Sequence, residues 1–408
     1  MSAASGPGRV AIVGGGIGGL CAAALLRQRG IEAVVFEQAP AFREVGAGLQ
    51  VSPNGVKVLR SLGLGDALDA LGVRPQNLVI RGWKTGIAIS RTGIQGDFDR
   101  AYGAPYYHVH RADLHQMLLG AVAPSALQVG RRLTSMDMDD GDGDITLGFG
   151  EDRARFDAVI GADGIHSAVR RFLHGDESPR FTGNVAFRAT VPVDDALRRE
   201  VARDSTIWVG PGGHVVHYYV RGGSLLNIVA VQETTRWADE SWTQEAERGD
   251  LLQAFAGWNK GLLRILERAE QCNRWALYDR DPLPAWGRGR ATLLGDAAHP
   301  MLPFLAQGAV MAMEDAFLLA ESLAAGSDAA QALRTYEGAR IQRTGRIQLA
   351  ARARGHAMHV GSARESLRRN ATLFFNSRMK RDEQIERGQS LYGYDVAKMA
   401  SKAAGSRP

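Results

Sequence analysis

The sequence predicts an α/β protein, in which a Rossmann-like nucleotide-binding domain is interrupted by a β-sheet domain and followed by a helical C-terminal segment. The N-terminus has the pattern of a strand, a glycine-rich turn, a helix and a second strand, and two further glycine-rich nucleotide patterns come later. Short or alternating apolar runs, typical of antiparallel strands, occur in residues 76–100 and 179–282. After about residue 347 the chain is basic and largely helical in pattern.

The first nucleotide pattern begins with a buried strand. Val10–Val13 is fully apolar, as expected for a strand covered on both faces of a parallel sheet. Gly14 allows a tight turn, Gly16 allows a pyrophosphate to approach the backbone, and Gly19 allows the next helix to pack on the strand. That helix, predicted from about Ile17 to Arg29, would direct its N-terminal amides and positive dipole end at the phosphates.

An acid closes this unit. Gly30 ends the helix, a second strand follows over Ile31–Phe36, and Glu37 stands at its end. A carboxylate there can accept hydrogen bonds from ribose hydroxyls and would repel a 2′-phosphate. A glycine-rich turn without a ligand is the alternative, but strand, turn, helix and acid all fall in register, which favours a bound dinucleotide.

Two later patterns narrow the ligand. Val159-Ile-Gly-Ala-Asp-Gly and Thr292-Leu-Leu-Gly-Asp each place a Gly and an Asp after a short apolar run. One Rossmann fingerprint indicates only a dinucleotide, whereas the three patterns in this order indicate FAD.

Composition excludes several classes. The 408 residues allow two or three domains, and a net charge of +5 without a basic cluster argues against nucleic acid as a partner. Cys21 and Cys272 form no CxxC pair, which argues against a disulfide reductase and a metal site and suits a reducing cytoplasm. The sequence has no secretory signal pattern and no run of transmembrane length, so we predict a cytoplasmic protein without a membrane span.

The domains are predicted to be discontinuous. Helical periodicity returns at Arg111–Leu119, and the acidic segment 139–144 is better explained as a hairpin tip than as an EF-hand, since it lacks that loop's length and final Glu. The predicted nucleotide domain is 1–75, 101–178 and 283–346, the β-sheet domain is 76–100 and 179–282, and the helical segment is 347–408.

Several motifs resemble one enzyme family over nearly the whole chain. They are Gly46–Asn54, His110–Leu114, Asp163-Gly164, Asp281–Trp286, Gly295-Asp296 with His299-Pro300, and Tyr392–Asp395. Together they resemble the group A flavoprotein monooxygenases, the single-component aromatic hydroxylases. The similarity is greatest to the salicylate hydroxylase, 3-hydroxybenzoate 6-hydroxylase and 6-hydroxynicotinate 3-monooxygenase branch. The resemblance implies a p-hydroxybenzoate hydroxylase-like fold, with an FAD domain, an inserted substrate domain and a C-terminal helical part.

The resemblance also implies FAD contacts. Asp296 would bind the ribityl or ribose hydroxyls, and a helix starting near Gly308 and Ala309 would direct its amides at the pyrimidine edge of the flavin. Asp163-Gly164 would serve both FAD and the nicotinamide cofactor. The residues expected to bind FAD are Gly14, Gly16, Gly19, Glu37, Gln38, Arg43, Arg111, Leu133, Asp163, Gly164, Gly295, Asp296, Gly308 and Ala309.

The chain has one Rossmann fingerprint, although the implied chemistry needs an electron donor. We therefore expect NADH or NADPH to bind transiently, reduce the flavin and leave. The family's reaction then uses O2 to form a flavin C4a-hydroperoxide, which transfers one oxygen atom to a small phenolic acid of the salicylate or hydroxybenzoate type. The expected partners are this aromatic substrate, NAD(P)H and O2. The sequence leaves open whether the protein forms a homodimer.

The predicted base is His214. Read as a strand, residues 212–220 place His214, Val216 and Tyr218 on one face, which the family places over the flavin, and His217 on the other. An unperturbed histidine titrates near neutral pH, as suits a base for a phenol, and Tyr218 would contact the substrate. Ordinary strand residues are the alternative, and His217 would take the role if the register slipped by one.

The substrate is less well defined. Gln50 occupies the position of a histidine in the hydroxynicotinate branch. An amide can hydrogen-bond but cannot act as a base, so Gln50 makes a pyridine substrate less expected. Pro303 favours the salicylate type. A substrate carboxylate would require a partner such as an arginine, and the sequence leaves Arg81, Arg188 and Arg221 open. A natural-product hydroxylase, a flavin reductase or oxidase without hydroxylation, and a non-catalytic FAD-binding regulator are the remaining alternatives. His108, His110 and His299 are expected to be structural or supporting residues.

Overall fold

The computed structural model describes residues 8–42, 47–138, 143–234, 244–326, 328–379 and 381–405. It confirms the predicted α/β class. The strands are β1 Arg9–Val13, β2 Glu32–Phe36, β3 Gly48–Val51, β4 Asn77–Gly82, β5 Ala88–Gly93, β6 Tyr107–His110, β7 Leu127–Gln128, β8 Ser135–Met138, β9 Ile145–Phe149, β10 Asp152–Phe156, β11 Ala158–Gly161, β12 Arg180–Pro192, β13 Ser205–Gly210, β14 Gly213–Val220, β15 Leu225–Glu233, β16 Gln244–Ala246, β17 Cys272–Asp279 and β18 Ala291–Leu293.

The described helices include a pair of long ones near the middle of the C-terminal half. The helices are α1 Ile17–Gln28, α2 Pro53–Ser61, α3 Gly65–Leu71, α4 Asp97–Tyr102, α5 Arg111–Gly120, α6 Ala168–His174, α7 Asp195–Glu200, α8 Arg248–Ala254, α9 Lys260–Glu267, α10 Gly308–Ala325, α11 Ala329–Met358, α12 Ala363–Asn376, α13 Arg381–Tyr392 and α14 Val396–Gly405. Short 3₁₀ turns at Gly295–Ala297 and Pro303–Leu305 lead from β18 into α10.

A five-stranded parallel sheet carries the N-terminal unit, in the order β18-β11-β1-β2-β7. Two glycines allow its close packing. Gly14 has a φ of +109°, and a Cβ there would lie 2.4 Å from the carbonyl oxygen of Ala162. A Cβ on Gly19 would lie 2.0 Å from the carbonyl oxygen of Gly14, so only glycine lets α1 approach β1 this closely.

The second large sheet has eight strands in the order β16-β17-β12-β15-β14-β13-β4-β5. Its pairings are antiparallel, except that β4 and β13 run parallel. It draws strands from 77–93 and 180–279, so two distant parts of the chain meet in one sheet. Apolar residues on its two faces belong to separate buried clusters.

The predicted domain boundaries stay predictions, with one structural difference. The boundary at 346/347 falls inside α11, which runs unbroken from Ala329 to Met358. Helical periodicity and basic composition continue across it, and so could not mark the end of a domain. β8 and β9 pair antiparallel on either side of the acidic segment, but residues 139–142 of the predicted hairpin tip lie outside the described residues.

Buried ion pairs hold α10 and α11 together. Glu314 and Asp315 on α10 have fully buried side chains, as does Arg340 on α11, which bonds them at 2.7 Å and 2.6 Å respectively. Arg343 adds a second partner for Glu314 at 2.8 Å. Burial opposes the charge of Arg340, but Asp315 and Glu314 outweigh it and raise the pKa of its guanidinium. The His299 ring also bonds Asp315, at 2.6 Å.

The described part of the chain has neither a membrane-spanning helix nor a cluster of metal-ligating side chains. None of its helices combines the length and the apolar character needed to cross a bilayer. Within the same residues, no cluster of three or more His, Cys, Asp or Glu side chains is placed to hold a metal ion.

We expect Arg340→Met to lower the free energy of unfolding by about 3–5 kcal/mol, because it removes the fully buried cation that bonds both Glu314 and Asp315 and leaves them only Arg343 and His299 as ion-pair partners. The control is Arg153→Met, whose partner Asp137 lies 3.4 Å away in a pair exposed on both sides. That change should cost less than about 1 kcal/mol. Denaturant unfolding measures both, and equal small losses would contradict a structural role for the ion pairs.

Candidate functional site

A cavity of about 190 Å³ lies where the eight-stranded sheet meets the N-terminus of α10. Its walls come from β3, β12, β14 and β15, from the first residue of α5 and from the loop and helix start after β18. The lining residues are Gly48, Leu49, Gln50, Arg111, Arg188, His214, Val216, Tyr218, Val229, Val231, Asp296, Met301, Pro303, Ala306, Gly308 and Ala309.

The sheet presents one face of β14 to this cavity. His214, Val216 and Tyr218 line it together, which is the alternation expected of the strand. His217 points to the opposite face, where its Nε2 accepts a 3.1 Å hydrogen bond from the indole of Trp208. The competing register is therefore wrong for this strand, and His217 lies away from the cavity.

His214 is more strongly perturbed than the sequence predicts. Burial, assisted by the nearby His359 and Arg354, lowers the pKa of its imidazole well below the ordinary value. The ring is therefore neutral at neutral pH and retains a lone pair that can accept a proton. The sequence predicted a histidine that titrates near neutral pH, whereas this buried ring is a neutral proton acceptor at that pH.

Tyr218 belongs to a polar cluster with three other side chains. The hydroxyl of Tyr106 donates to Oε1 of Gln50 at 2.6 Å, and Gln50 also hydrogen-bonds Tyr218. His108 stacks on Tyr218 with ring centroids 4.2 Å apart, and burial lowers its pKa to about 3. Burial raises the pKa of Tyr218, so the cluster is uncharged at neutral pH and holds the Tyr218 ring against the cavity.

The lining also includes a cationic side chain, a carboxylate and the backbone amides at the start of a helix. Arg111 opens α5, Asp296 lies in the turn after β18, and Gly308 and Ala309 begin α10. The Asp296 carboxylate is open to the cavity yet surrounded by protein, and this desolvation raises its pKa against the opposing charges of His299 and Arg111. The first amides of a helix have no intrahelical partner and favour an anionic ligand.

A second cavity of about 570 Å³ lies at the carboxyl ends of the parallel strands. Several predicted cofactor residues line it: Gly14, Gly16, Glu37, Gln38, Leu133, Asp163 and Gly164. Glu37 accepts from the amides of Gly15 at 2.9 Å and Ala39 at 2.8 Å. Since a carboxylate offers about four lone-pair sites, Glu37 keeps capacity for ribose hydroxyls.

Asp163 contributes mainly to local structure. Its carboxylate accepts from the amide of Ala168 at 2.7 Å and from the hydroxyl of Ser167, at the start of α6. Gly164 beside it has a φ of +76°, which favours glycine. The carboxylate therefore shapes the turn along one wall of the cavity, a role the sequence does not reveal.

Two of the predicted cofactor residues that the structure describes line neither cavity. Gly19 lies beneath the glycine turn in α1, and Gly295, with a φ of +63°, packs against Ala312. Both support the cavities without lining them. Arg43 lies outside the described residues. As for the supporting histidines, His110 lies 3.7 Å from Asp113 and His299 bonds Asp315.

The structure separates the three arginines that the sequence left open. Arg188 on β12 lines the cavity with His214. Arg81 instead donates to the carbonyl of Gly86 at 2.7 Å and lies over Trp208 on the other face of the sheet. Arg221 pairs with Asp113 at 3.0 Å and is partly exposed. Of these three arginines, Arg188 is therefore the one placed to meet a ligand in this cavity.

Sequence reasoning missed His359 and Arg354. His359 follows α11 and its Nε2 lies 2.6 Å from Nδ1 of His214, while Arg354 lines an adjoining cavity of about 260 Å³ that shares His214. Both lie on or beside one helix, about 140 residues after β14. No motif or spacing links such distant residues, so only the fold brings them together.

The polar groups that line the two cavities fit a flavin dinucleotide. A Cβ added to Gly16 would meet nothing within 4 Å, so a pyrophosphate can reach this backbone. The two cavities supply a ribose acceptor in Glu37, a carboxylate in Asp296 and helix-start amides at Gly308 and Ala309. These are the groups needed by the adenosine, ribityl and pyrimidine parts of such a ligand.

Comparisons with known proteins agree with this assignment. A family model described as FAD binding domain matches residues 8–350. A 3-amino-4-hydroxybenzoate 2-monooxygenase of Streptomyces platensis is 38% identical over 396 residues, 97% of this chain and 98% of the relative. A 6-hydroxynicotinate 3-monooxygenase of Bordetella bronchiseptica is 37% identical over 349 residues, 83% and 89% of the two chains. Klebsiella pneumoniae HpxO, complexed with FAD and uric acid, has a TM-score of 0.82 at 30% identity, covering 93% and 95%.

We expect Asp296→Ala to lose FAD on purification, because the variant lacks the carboxylate placed for the ribityl or ribose hydroxyls. The flavin-to-protein absorbance ratio after desalting measures this. Asp137→Ala, a change at an exposed residue that lines neither cavity, is the control and should keep its FAD. Full FAD content in Asp296→Ala would contradict the assignment.

Proposed function

The chain belongs to the FAD binding domain family of flavoprotein monooxygenases, and from that premise we propose that it hydroxylates a small phenolic acid with NADH or NADPH as reductant. It is an FAD-dependent aromatic monooxygenase of the hydroxybenzoate or hydroxynicotinate type. The observation that carries the proposal is the cavity that joins His214 and Tyr218 to the amides at the start of α10. Cytoplasmic location and a homodimer stay predictions.

Bound FAD, reduced by a transient NAD(P)H, would activate O2 and supply one electrophilic oxygen atom. The protein must make the substrate ring nucleophilic, and a phenol becomes so at its ortho and para carbons when its hydroxyl loses a proton. His214, buried and neutral, would accept that proton. The helix start at Gly308 would stabilise negative charge on the reduced cofactor.

The cavity would also exclude water. Val216, Val229 and Val231 on the sheet line it together with Met301 and Pro303. These apolar walls leave the polar groups in defined places, so that the substrate is oriented by few hydrogen bonds. A dry site also limits loss of activated oxygen to solvent.

Arg188 would bind the substrate carboxylate. Arg188 pairs across the sheet with Val229, which pairs with Val216 on β14, so one strand separates the arginine from His214 and Tyr218. Two strand spacings amount to roughly 10 Å between backbones. Such a separation favours a substrate whose carboxylate and hydroxyl lie on opposite sides of the ring.

We therefore favour a 4-hydroxybenzoate-type acid over salicylate, whose two groups are adjacent. Three relatives named 3-amino-4-hydroxybenzoate 2-monooxygenase, 38–41% identical, support this substitution pattern. The runner-up is a 6-hydroxynicotinate-type substrate, which the relatives of that name favour. Gln50 disfavours it, because an amide that already accepts from Tyr106 cannot serve as a base.

A substrate panel under ¹⁸O2 tests the function. We expect 3-amino-4-hydroxybenzoate or 4-hydroxybenzoate to stimulate NAD(P)H oxidation by FAD-loaded protein and to gain one ¹⁸O atom, with salicylate and 6-hydroxynicotinate weaker. Oxidation that yields only peroxide with every compound would favour a reductase or oxidase and contradict hydroxylation. Bound FAD without any ligand-stimulated reduction would favour a regulator.

His214→Ala should retain FAD and lower coupled hydroxylation by roughly 10²-fold or more, since it removes the proton acceptor. Product formed per NAD(P)H consumed is the readout. His217→Phe, on the opposite face of the same strand, is the matched control and should stay coupled. Normal coupling in His214→Ala would remove the base assignment.

Arg188→Met should raise the KM of a hydroxybenzoate by roughly 10- to 100-fold, because a charge-assisted hydrogen bond to the carboxylate is lost. The KM of a phenol that lacks the carboxylate should stay nearly unchanged. Arg354→Met provides the comparison, since Arg354 lines the adjoining cavity. A larger effect on KM from Arg354 than from Arg188 would mean that the ring binds in the opposite orientation.

A further inference from the structure

A chain of three side chains leads from the cavity to the protein surface. Nδ1 of His214 lies 2.6 Å from Nε2 of His359, and Nδ1 of His359 lies 3.2 Å from Oε1 of Glu233. Both imidazoles are buried, whereas the side chain of Glu233 is half exposed. His214 lies on β14, His359 directly follows α11, and Glu233 is the last residue of β15.

The carboxylate determines the tautomers along this chain. An ionised carboxylate only accepts hydrogen bonds, so Nδ1 of His359 carries a proton and donates it to Glu233. In a neutral ring, Nε2 of His359 is then the acceptor, and Nδ1 of His214 is the donor. Nε2 of His214 is left without a proton and is the ring nitrogen free to accept one from a ligand in the cavity.

The surroundings keep the pair dry and neutral. The ring of Phe304 packs edge-on against both imidazoles, with its centroid 5.3 Å from that of His214 and 5.8 Å from that of His359. Burial lowers the pKa of both rings, and the positive charge of Arg354 adds to this effect at His214. At His359, Glu233 opposes the shift, whereas His356 and Arg369 reinforce it. A proton accepted by His214 is therefore not retained and must move on.

The backbone holds the second histidine in place. The carbonyl of His359 accepts from the amide of Gly212 at 3.0 Å, and the carbonyl of Gly212 accepts from the amide of Glu233 at 2.7 Å. The turn before β14 thus joins the end of α11 to the end of β15. A Cβ on Gly355 would lie 2.4 Å from the Phe304 ring, so glycine allows Phe304 to pack here.

We propose that His359 and Glu233 are positioning residues that set the tautomer of His214 and relay the substrate proton to solvent. This inference rests on the proposed function, in which His214 deprotonates a phenol. Glu233 and His359 line a separate surface cleft of about 190 Å³, which provides the exit.

Each transfer along the relay is balanced. The phenol O–H bond breaks and its proton bonds Nε2 of His214, while the Nδ1 proton of His214 moves to Nε2 of His359. The Nδ1 proton of His359 moves to a carboxylate oxygen of Glu233, which releases it to water. Both rings end neutral in the opposite tautomer, and return of one proton from water along the same path to the product phenolate restores them.

The first test reads the tautomers directly, without turnover. In ¹⁵N-histidine-labelled, FAD-loaded protein, the ring-nitrogen chemical shifts should show His214 and His359 both protonated at Nδ1 at neutral pH. Assignments come from His214→Ala and His359→Phe. In Glu233→Gln, whose amide can accept or donate, the His359 tautomer should become mixed. Protonation of His359 at Nε2 in the unaltered protein would overturn the proposal.

The second test follows proton transfer. The rate at which a bound hydroxybenzoate converts to phenolate, seen by stopped-flow absorbance, should fall roughly tenfold in His359→Phe and in Glu233→Gln, with a change in its solvent isotope effect and pH profile. Flavin reduction by NAD(P)H without substrate should be unchanged. His217→Phe is the control for loss of a buried histidine from this sheet. Glu233 is half exposed, so its variant should fold even if His359→Phe does not.

The outcomes separate the two proposals. Slow ionisation in His214→Ala with normal ionisation in both relay variants would refute the relay and keep the base. Normal ionisation in His214→Ala would refute the base, and the relay with it. Equal losses in His359→Phe and His217→Phe, with none in Glu233→Gln, would indicate a packing effect and overturn the relay.

Discussion

The buried ion pairs between α10 and α11 are the constraint on which the rest of the site depends. Glu314 and Asp315 on α10 are buried against Arg340 and Arg343 on α11, with His299 as a further partner of Asp315, and these contacts fix the two helices against each other. The N-terminus of α10 is thereby held at the cavity, and the end of α11 reaches the sheet near His214. One cluster of charges sets the positions of the amides at the start of α10 and of the second histidine, His359.

The two large sheets supply different groups to the two cavities. The parallel sheet and its glycine turn form the dinucleotide side, where Gly14, Gly16 and Glu37 lie. The antiparallel sheet offers a rigid face that carries His214 and Arg188, separated by an apolar strip. Because burial lowers the pKa of His214, its ring would not retain a proton accepted from the substrate. The contact of His359 with Glu233 would give that proton a path to solvent.

Local patterns predicted much of this protein, and long-range pairing accounts for the rest. The glycine turn and the alternation in β14 depend on neighbouring residues, so the sequence predicted that His214 and Tyr218 share a face. The choice of Arg188 over Arg81 depends on which face of the sheet each strand presents, which pairing decides. Contact between His214 and His359 joins residues 145 positions apart, and no periodicity encodes it. The predicted boundary at 346/347 lies inside α11, whose helical pattern is the same on both sides.

The central claim is that the protein ionises a phenol in this cavity, and the absorbance of the bound substrate tests it most directly. FAD-loaded protein would be titrated with a hydroxybenzoate across a range of pH, and the phenolate band would be read by difference spectroscopy. We predict that the bound phenol ionises at a lower pH than the free compound, and that His214→Ala removes this difference. A bound phenol that ionises at the same pH as in water would contradict the account.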